Sequence, residues 1–163
     1  MLRDLITAIR QNHALEHATM HLLSRRSPSA RLVGRSSPSG FTIFGAVSTE
    51  DVADAATEAM ARLQQGEAQL AVHPNCGTNV VVTGVLVGLA AFSVGLGDSR
   101  SRWERLPLVL LIATLAAMVA QPLARLTQER ITTTPAVQGV YLSGISRKEQ
   151  GGLVLHRLTV GRG

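Results

Sequence analysis

The chain has 163 residues, a formal charge of +5 at pH 7 and an aromatic content of only 3%. This length allows one compact domain, or a small domain with membrane spans, but excludes two large hydrophobic cores. Because the basic residues do not alternate with stacking aromatics, we expect no nucleic acid as a partner, and anionic lipid headgroups fit the charge better. The single cysteine excludes an internal disulfide.

The first predicted element is a helix over residues 2–23, because apolar residues recur there at helical spacing. Residues 25–28 end this helix. The predicted apolar stripe consists of Leu2, Leu5, Ile6, Ile9, Met20 and Leu23.

Within this helix, the segment NHALEHATMH carries three histidines at four-residue intervals. At 100° per residue, His13 and Glu16 lie near the centre of the apolar stripe, His17 lies at its edge and His21 lies further round. Buried carboxylates and imidazoles need partners, shared protons or a metal. His13 and His17 are one turn apart and can direct two imidazoles at one ion. A hydrogen-bonded polar patch is the alternative.

A strand hairpin and a second helix follow. Residues 30–35 and 41–47 are predicted as strands around a Pro/Gly turn, and Ser48 is predicted to cap a helix that runs to about Gln65. The acidic residues of this helix point away from its apolar stripe, which indicates a solvated face. They are Glu50, Asp54 and Glu58.

A short strand over residues 69–72 is predicted to lead into the turn HPNCGTN, residues 73–79. A catalytic zinc ion needs a third protein ligand and an open position for water. His73 and Cys76 are the candidates for that ligand. Alternatively, His73 only shapes the turn and Cys76 is a small buried hydrophobic residue.

Two uncharged apolar runs, residues 80–97 and 106–124, each extend roughly 27 to 29 Å as helices, close to the roughly 30 Å hydrocarbon core of a bilayer. With the short loop 98–105 between them, they predict an antiparallel transmembrane hairpin. A buried hairpin in a soluble protein is the alternative. A polar leader without a signal peptide favours termini in the cytoplasm. The spacing of Gly84 and Gly88 permits self-association, although packing between the two spans is the preferred interpretation.

The C-terminal segments 139–146 and 152–160 are predicted as a second strand hairpin. His156 shares an apolar face with its neighbours, which is typical of a satisfied core residue. The predicted fold class is α+β: a small mixed domain, residues 1–79, is interrupted by the hairpin 80–124, and residues 125–163 pack back on it.

The five residues HALEH, residues 13–17, resemble the inverted HxxEH signature of the inverzincin metallopeptidases. That resemblance implies that His13 and His17 bind zinc, that Glu16 takes a proton from the bound water, and that a downstream glutamate is the third ligand. Glu58 is the nearest counterpart, but its predicted place on the solvated face weakens the assignment.

The chain also resembles an uncharacterised bacterial family of small two-span membrane proteins. The blocks that carry this resemblance are NHALEHATMH, GFTIFG and HPNCGTN. It implies an architecture and a shared site, not a reaction.

The leading functional hypothesis is a zinc-dependent hydrolase anchored in the bacterial inner membrane, most simply a metallopeptidase. Its zinc is held by His13 and His17 with His73 or Cys76, and Glu16 is the catalytic base. The edge of the strand at residues 41–47 would hold an extended peptide substrate.

The alternative is a non-enzymatic membrane subunit or scaffold, in which the same four metal ligands close a structural site or form a polar histidine cluster. Its partner would be another membrane protein, or a second copy of the chain. Haem or di-iron binding is less favoured, because Glu16 is the only carboxylate expected to point inward.

Overall fold

A computed structural model describes residues 1–95 and 102–163 and divides the chain into two compact units. The first unit comprises residues 1–73 and 129–163, and the second comprises residues 74–128. The first unit contains α1 (Leu2–Arg26), β1 (Val33–Ser37), β2 (Gly40–Phe44), α2 (Thr49–Gln64), a 3₁₀ helix (Ala68–Ala71), β3 (Val140–Gln150) and β4 (Leu153–Arg162). The α+β class predicted from the sequence is confirmed.

The four strands form one antiparallel sheet in the order β1-β2-β4-β3. The β3–β4 hairpin closes through Gly151 and Gly152, whose φ angles of +59° and +80° suit a tight two-residue turn that other residues rarely adopt. Because β2 pairs with a strand on each side, the prediction that residues 41–47 offer a free edge is wrong. The edges of this sheet are β1 and β3.

Helix α1 is the centre of the first unit and packs against α2, β1, β2 and the 3₁₀ helix. Its residues 14–20 are all buried, whereas Leu2, Leu5 and Ile6 are exposed. The predicted single stripe is therefore wrong for the first turns, because neighbouring elements surround α1 only from Ala8 onward. Burial on all sides replaces the one-sided burial that a stripe assumes.

The predicted start and end of helix α2 are confirmed. The Ser48 side chain accepts a hydrogen bond from the backbone N–H of Asp51 at 2.9 Å, and Gln65 is the C-terminal cap. The predicted strand over residues 69–72 is wrong, since residues 68–71 form the 3₁₀ helix. Leu70 and Ala71 are both buried, which the alternating side chains of a half-buried strand do not permit.

The second unit is a helical hairpin of α3 (Gly77–Gly95) and α4 (Arg102–Thr127). A short π-helical segment (Gln128–Thr132) follows α4 in the chain, and all but its first residue belongs to the first unit. Side chains join both ends of the hairpin: Arg105 donates to the carbonyl of Gly95, and Gln128 donates to Asn79. The helices are therefore antiparallel. Each is long and apolar enough to cross a membrane.

Two details of the hairpin differ from the sequence predictions. Residues 102–105 of the predicted loop belong to α4, whereas residues 96–101 lie outside the described part of the chain. A Cβ atom added to Gly84 or Gly88 meets no described atom within 4 Å. These glycines therefore do not serve close packing between the two helices, and the preferred interpretation of their spacing is wrong.

Asn12 joins α1 to the sheet. It is fully buried, its amide donates to the carbonyls of Ser37 at 2.7 Å and Pro38 at 3.1 Å, and its carbonyl accepts from Arg162 at 2.8 Å. Asn12→Ala leaves these groups without their partner, so we expect it to lower the free energy of unfolding by roughly 2 to 3 kcal/mol. Urea unfolding of the purified full chain measures this, with the exposed Gln65→Ala as control. Equal stability of the two variants would contradict the assigned role.

Candidate metal site

His13 and His17 lie side by side on α1 and direct their rings at each other. The ring centroids are 4.3 Å apart, and each residue offers a ring nitrogen within 4.8 Å of one on the other. His17 is buried and His13 is half-buried. The four-residue spacing produces this pairing, since residues i and i+4 share one helical face.

Backbone carbonyls fix the protonation pattern of three histidines. His13 Nδ1 donates to the carbonyl of Thr132 at 3.0 Å, and His17 Nδ1 donates to that of Ala71 at 2.7 Å. His21 Nε2 donates to the carbonyl of Val72 at 2.7 Å. Because a carbonyl only accepts, each bonded nitrogen carries a proton, so the lone pair of the neutral tautomer is on the other nitrogen. This is how metal-binding imidazoles are commonly oriented.

The Nε2 atom of His17 is buried and has no hydrogen-bond partner among the described residues. A buried polar atom without a partner costs about 1 to 3 kcal/mol, and such atoms are rare in folded proteins. A cation at this nitrogen would remove that cost. Of the atoms in the site, this one fits a metal ion most directly.

His73 follows the 3₁₀ helix and is buried beside the α1 histidines. Its ring centroid lies 4.6 Å from that of His21 and 5.8 Å from that of His17. Burial, together with the nearby His21 and His17, lowers the pKa of His73 to about 4. The imidazole is therefore neutral at pH 7, which is the form that binds metals.

Glu16 points from α1 toward β1 and is 7% exposed. Its carboxylate accepts a hydrogen bond from the Ser36 hydroxyl. Burial raises the pKa of Glu16, while the bond from Ser36 and the proximity of His13 act in the opposite direction. A carboxyl group with a raised pKa is suited to exchange protons near neutral pH. A Cβ atom on Gly34 of β1 would overlap the Glu16 carboxylate, so glycine provides the space for this side chain.

Cys76 belongs to the helical unit, at the N-terminus of α3. It is buried, and its sulfur lies 3.4 Å from both the backbone nitrogen and the hydroxyl of Thr78. It follows His73 by three residues. Cys76 thus directly precedes Gly77, the first residue of α3.

Two other candidates lie apart from the histidine cluster. Glu58 forms ion pairs with Arg26 at 2.6 Å and Arg62 at 3.3 Å on a half-exposed surface, as its solvated-face prediction requires. His156 is fully buried on β4, and its Nε2 lies 3.2 Å from the Thr49 hydroxyl. Neither contacts the α1 histidines in any described interaction.

His21 is the residue that sequence reasoning placed at the margin and that the structure brings into the cluster. Its place on α1, four residues after His17, is the signal in the sequence that the two histidines share a helical face. The helical wheel placed His21 away from the site because a wheel shows only the angular distance of a residue from the apolar stripe. The carbonyl of Val72 and the ring of His73 cover it instead.

Comparison with known proteins identifies the family. Residues 8–145 match the domain described as Domain of unknown function (DUF6391). The chain belongs to this family. It is 39% identical over 142 residues to an uncharacterised protein of Picosynechococcus sp. (strain ATCC 27264 / PCC 7002 / PR-6), a match that covers 81% of this chain and 68% of the relative. No solved structure matches the chain. The DUF6391 range includes the histidine cluster, Glu16 and Cys76, whereas His156 lies outside it.

The contact between Gly34 and Glu16 can be tested by a double-mutant cycle. Gly34→Ala places a methyl group against the Glu16 carboxylate, so we expect a loss of about 1 to 3 kcal/mol in unfolding free energy. In a Glu16→Ala background, the same substitution should cost much less, because the overlapping group is gone. Gly144→Ala is the control, since its Cβ meets only the Thr159 hydroxyl, at 3.1 Å. Additive effects of the two substitutions would contradict the contact.

The lowered pKa of His156 makes the free energy of unfolding depend on pH. Burial lowers the pKa of His156, and Arg147 adds to this shift. The unfolded chain, with a histidine pKa of about 6.5, therefore takes up a proton before the folded protein does, and stability falls as the pH drops below that value. His156→Leu should flatten the decline by at most about 1.4 kcal/mol per pH unit. Urea unfolding of both proteins between pH 7 and 5 measures the difference, and parallel curves would contradict the assignment.

Proposed function

We propose that this DUF6391 protein is a zinc-dependent hydrolase anchored in a bacterial inner membrane, and that it acts as a metallopeptidase. The observation that carries the proposal is the buried Nε2 of His17, which lacks a described partner while Nδ1 is held by the carbonyl of Ala71. His13, one turn earlier, has the same tautomer, with its proton on Nδ1 and its lone pair on Nε2. Two imidazoles fixed in this way suit a zinc ion.

The third ligand in this proposal is Cys76. Cys76 follows His73 by three residues, and three residues of chain extend at most about 11 Å. The ring of His73 lies closer to His21 than to His17, which favours Cys76 over His73 for this role. Two imidazoles and one thiolate leave the fourth position of a tetrahedral zinc ion for water.

Glu16 is the proposed general base. It follows His13 by three residues and is close enough for the two groups to influence each other electrostatically. In peptide hydrolysis, the water oxygen forms a bond with the carbonyl carbon, and Glu16 accepts the proton that the water loses. The C–N bond then breaks, and Glu16 returns that proton to the leaving amine. Ser36 and Gly34 hold the carboxylate in place for both transfers.

The apolar hairpin is the proposed membrane anchor, with both termini in the cytoplasm. Helices α3 and α4 have mean hydropathies of 1.8 and 2.1 in their most apolar windows, and each can span a bilayer. Substrates would then be polypeptides at the membrane surface, including segments of membrane proteins. The outer edge of β1, whose residues Gly34 and Ser36 contact Glu16, is the nearest place to bind an extended peptide by strand addition. The open faces of Gly84 and Gly88 favour self-association of α3 in the bilayer.

The proposal predicts that Glu16→Gln separates metal binding from turnover. The variant should retain its zinc, because no ligand is removed, and should lose at least 100-fold in peptide-hydrolysis rate, because the base is absent. The assay uses the purified full chain in detergent with a broad library of fluorogenic peptides, and zinc is quantified by mass spectrometry. Ser36→Ala, which keeps the carboxylate, is the matched control and should retain measurable activity. An active Glu16→Gln variant, or wild-type protein that binds zinc but cleaves nothing, would contradict the hydrolase.

A structural metal site is the second candidate. The cluster has more potential ligands than a catalytic ion needs, and His13, His17, His73 and Cys76 could fill a four-coordinate shell without water. The protein would then be a non-enzymatic membrane subunit or scaffold that binds a membrane-protein partner. In that case, removing any one ligand should unfold the first unit, and Glu16→Gln should have no effect on function. Thermal unfolding of the single variants distinguishes the two candidates.

A further inference from the structure

The α1 histidines extend further along the helix than one metal ion can reach. His13, His17 and His21 follow at intervals of four residues, and an α-helix rises about 6 Å over each interval. Zinc binds imidazole nitrogen at about 2.0 to 2.1 Å. An ion midway between His13 and His17 would therefore lie about 9 Å along the helix axis from the level of His21, so one ion cannot take all three as ligands.

The four rings of the cluster form two pairs. Two imidazoles on one tetrahedral ion have centroids about 5 Å apart, given the zinc–nitrogen distance. The His13–His17 separation of 4.3 Å and the His21–His73 separation of 4.6 Å are compatible with this distance and are the two shortest among the described ring pairs. His17 and His73, one from each pair, are 5.8 Å apart.

The backbone at residues 71–73 supports both pairs. The carbonyl of Ala71 fixes His17 and the next carbonyl, of Val72, fixes His21. The ring of His73 then contacts both histidines. The carbonyl of Val72 binds the Nε2–H of His21, so the lone pair of the His21 ring is on Nδ1. In His13 and His17 the carbonyl binds Nδ1–H, and the lone pair is on Nε2. The backbone of residues 71–73 thus orients histidines of both pairs.

We propose that His21 and His73 bind a second divalent transition-metal ion beside the ion of His13 and His17, so that the cluster is a two-ion centre. This inference rests on the metal site of the proposed function. Imidazole ligands select zinc and neighbouring ions such as copper and nickel over magnesium or calcium. In a hydrolase, a second ion near the first would add positive charge where negative charge develops on the substrate.

The test is a titration of zinc into the metal-free full chain in detergent, with a chromophoric chelator as competitor. Wild-type protein should bind two equivalents, and His21→Ala should bind one while keeping the tighter site. His13→Ala/His17→Ala should lose the tighter equivalent. Glu58→Gln, which alters a metal-competent side chain outside the cluster, is the control and should still bind two. One equivalent in wild-type protein, or two in His21→Ala, overturns the two-ion centre.

A second measurement needs no variant. Two equivalents of copper(II) added to wild-type protein should give a dipole-broadened electron paramagnetic resonance spectrum, because the ions would lie within about 10 Å of each other along the helix axis. Sharp, unbroadened signals overturn the proposal. The two proposals can fail separately. One bound ion with intact peptide hydrolysis would contradict only the two-ion centre, whereas no bound ion would contradict the proposed function as well.

Discussion

The burial of polar groups along α1 is the constraint on which the rest of the first unit depends. A helix that carries a carboxylate and imidazoles into a protein interior requires a partner for each N–H and each oxygen. The elements that cover α1 meet this requirement with backbone carbonyls and one hydroxyl group. Segment 71–73, Thr132 and the β1 residue Ser36 each provide a partner. The sheet and the 3₁₀ helix are therefore part of the site's construction as well as of the core.

The same arrangement buries two groups on α1 at a cost in stability that folding alone does not explain. His17 Nε2 is buried without a described partner, and burial raises the pKa of Glu16, so each residue costs stability in the absence of a ligand. Natural proteins tolerate such costs mainly at functional sites. Asn12 on the same helix, by contrast, is hydrogen-bonded to the carbonyl of Ser37 and to Arg162.

Sequence reasoning succeeds here where periodicity and end signals are strong. The α2 helix with its Ser48 cap, the two apolar helices and the C-terminal strands all follow from such signals. It fails where tertiary burial overrides the local pattern: at residues 68–71, two adjacent buried side chains require a 3₁₀ turn. The role of His21 and the interior place of β2 were also missed, because both depend on contacts with residues more than 50 positions away or on strand order. No single-sequence pattern encodes these contacts.

The central claim is that the imidazole nitrogens opposite the carbonyl-bonded ones hold a metal ion. The most direct test is the metal content per chain of full-length protein purified in detergent without chelator or affinity metal, measured by mass spectrometry. The account predicts at least one zinc ion per wild-type chain and its loss in His13→Ala/His17→Ala, with the fold verified by circular dichroism. Wild-type protein without bound metal, or a folded double variant with undiminished zinc, would contradict the account and leave the cluster as a polar core.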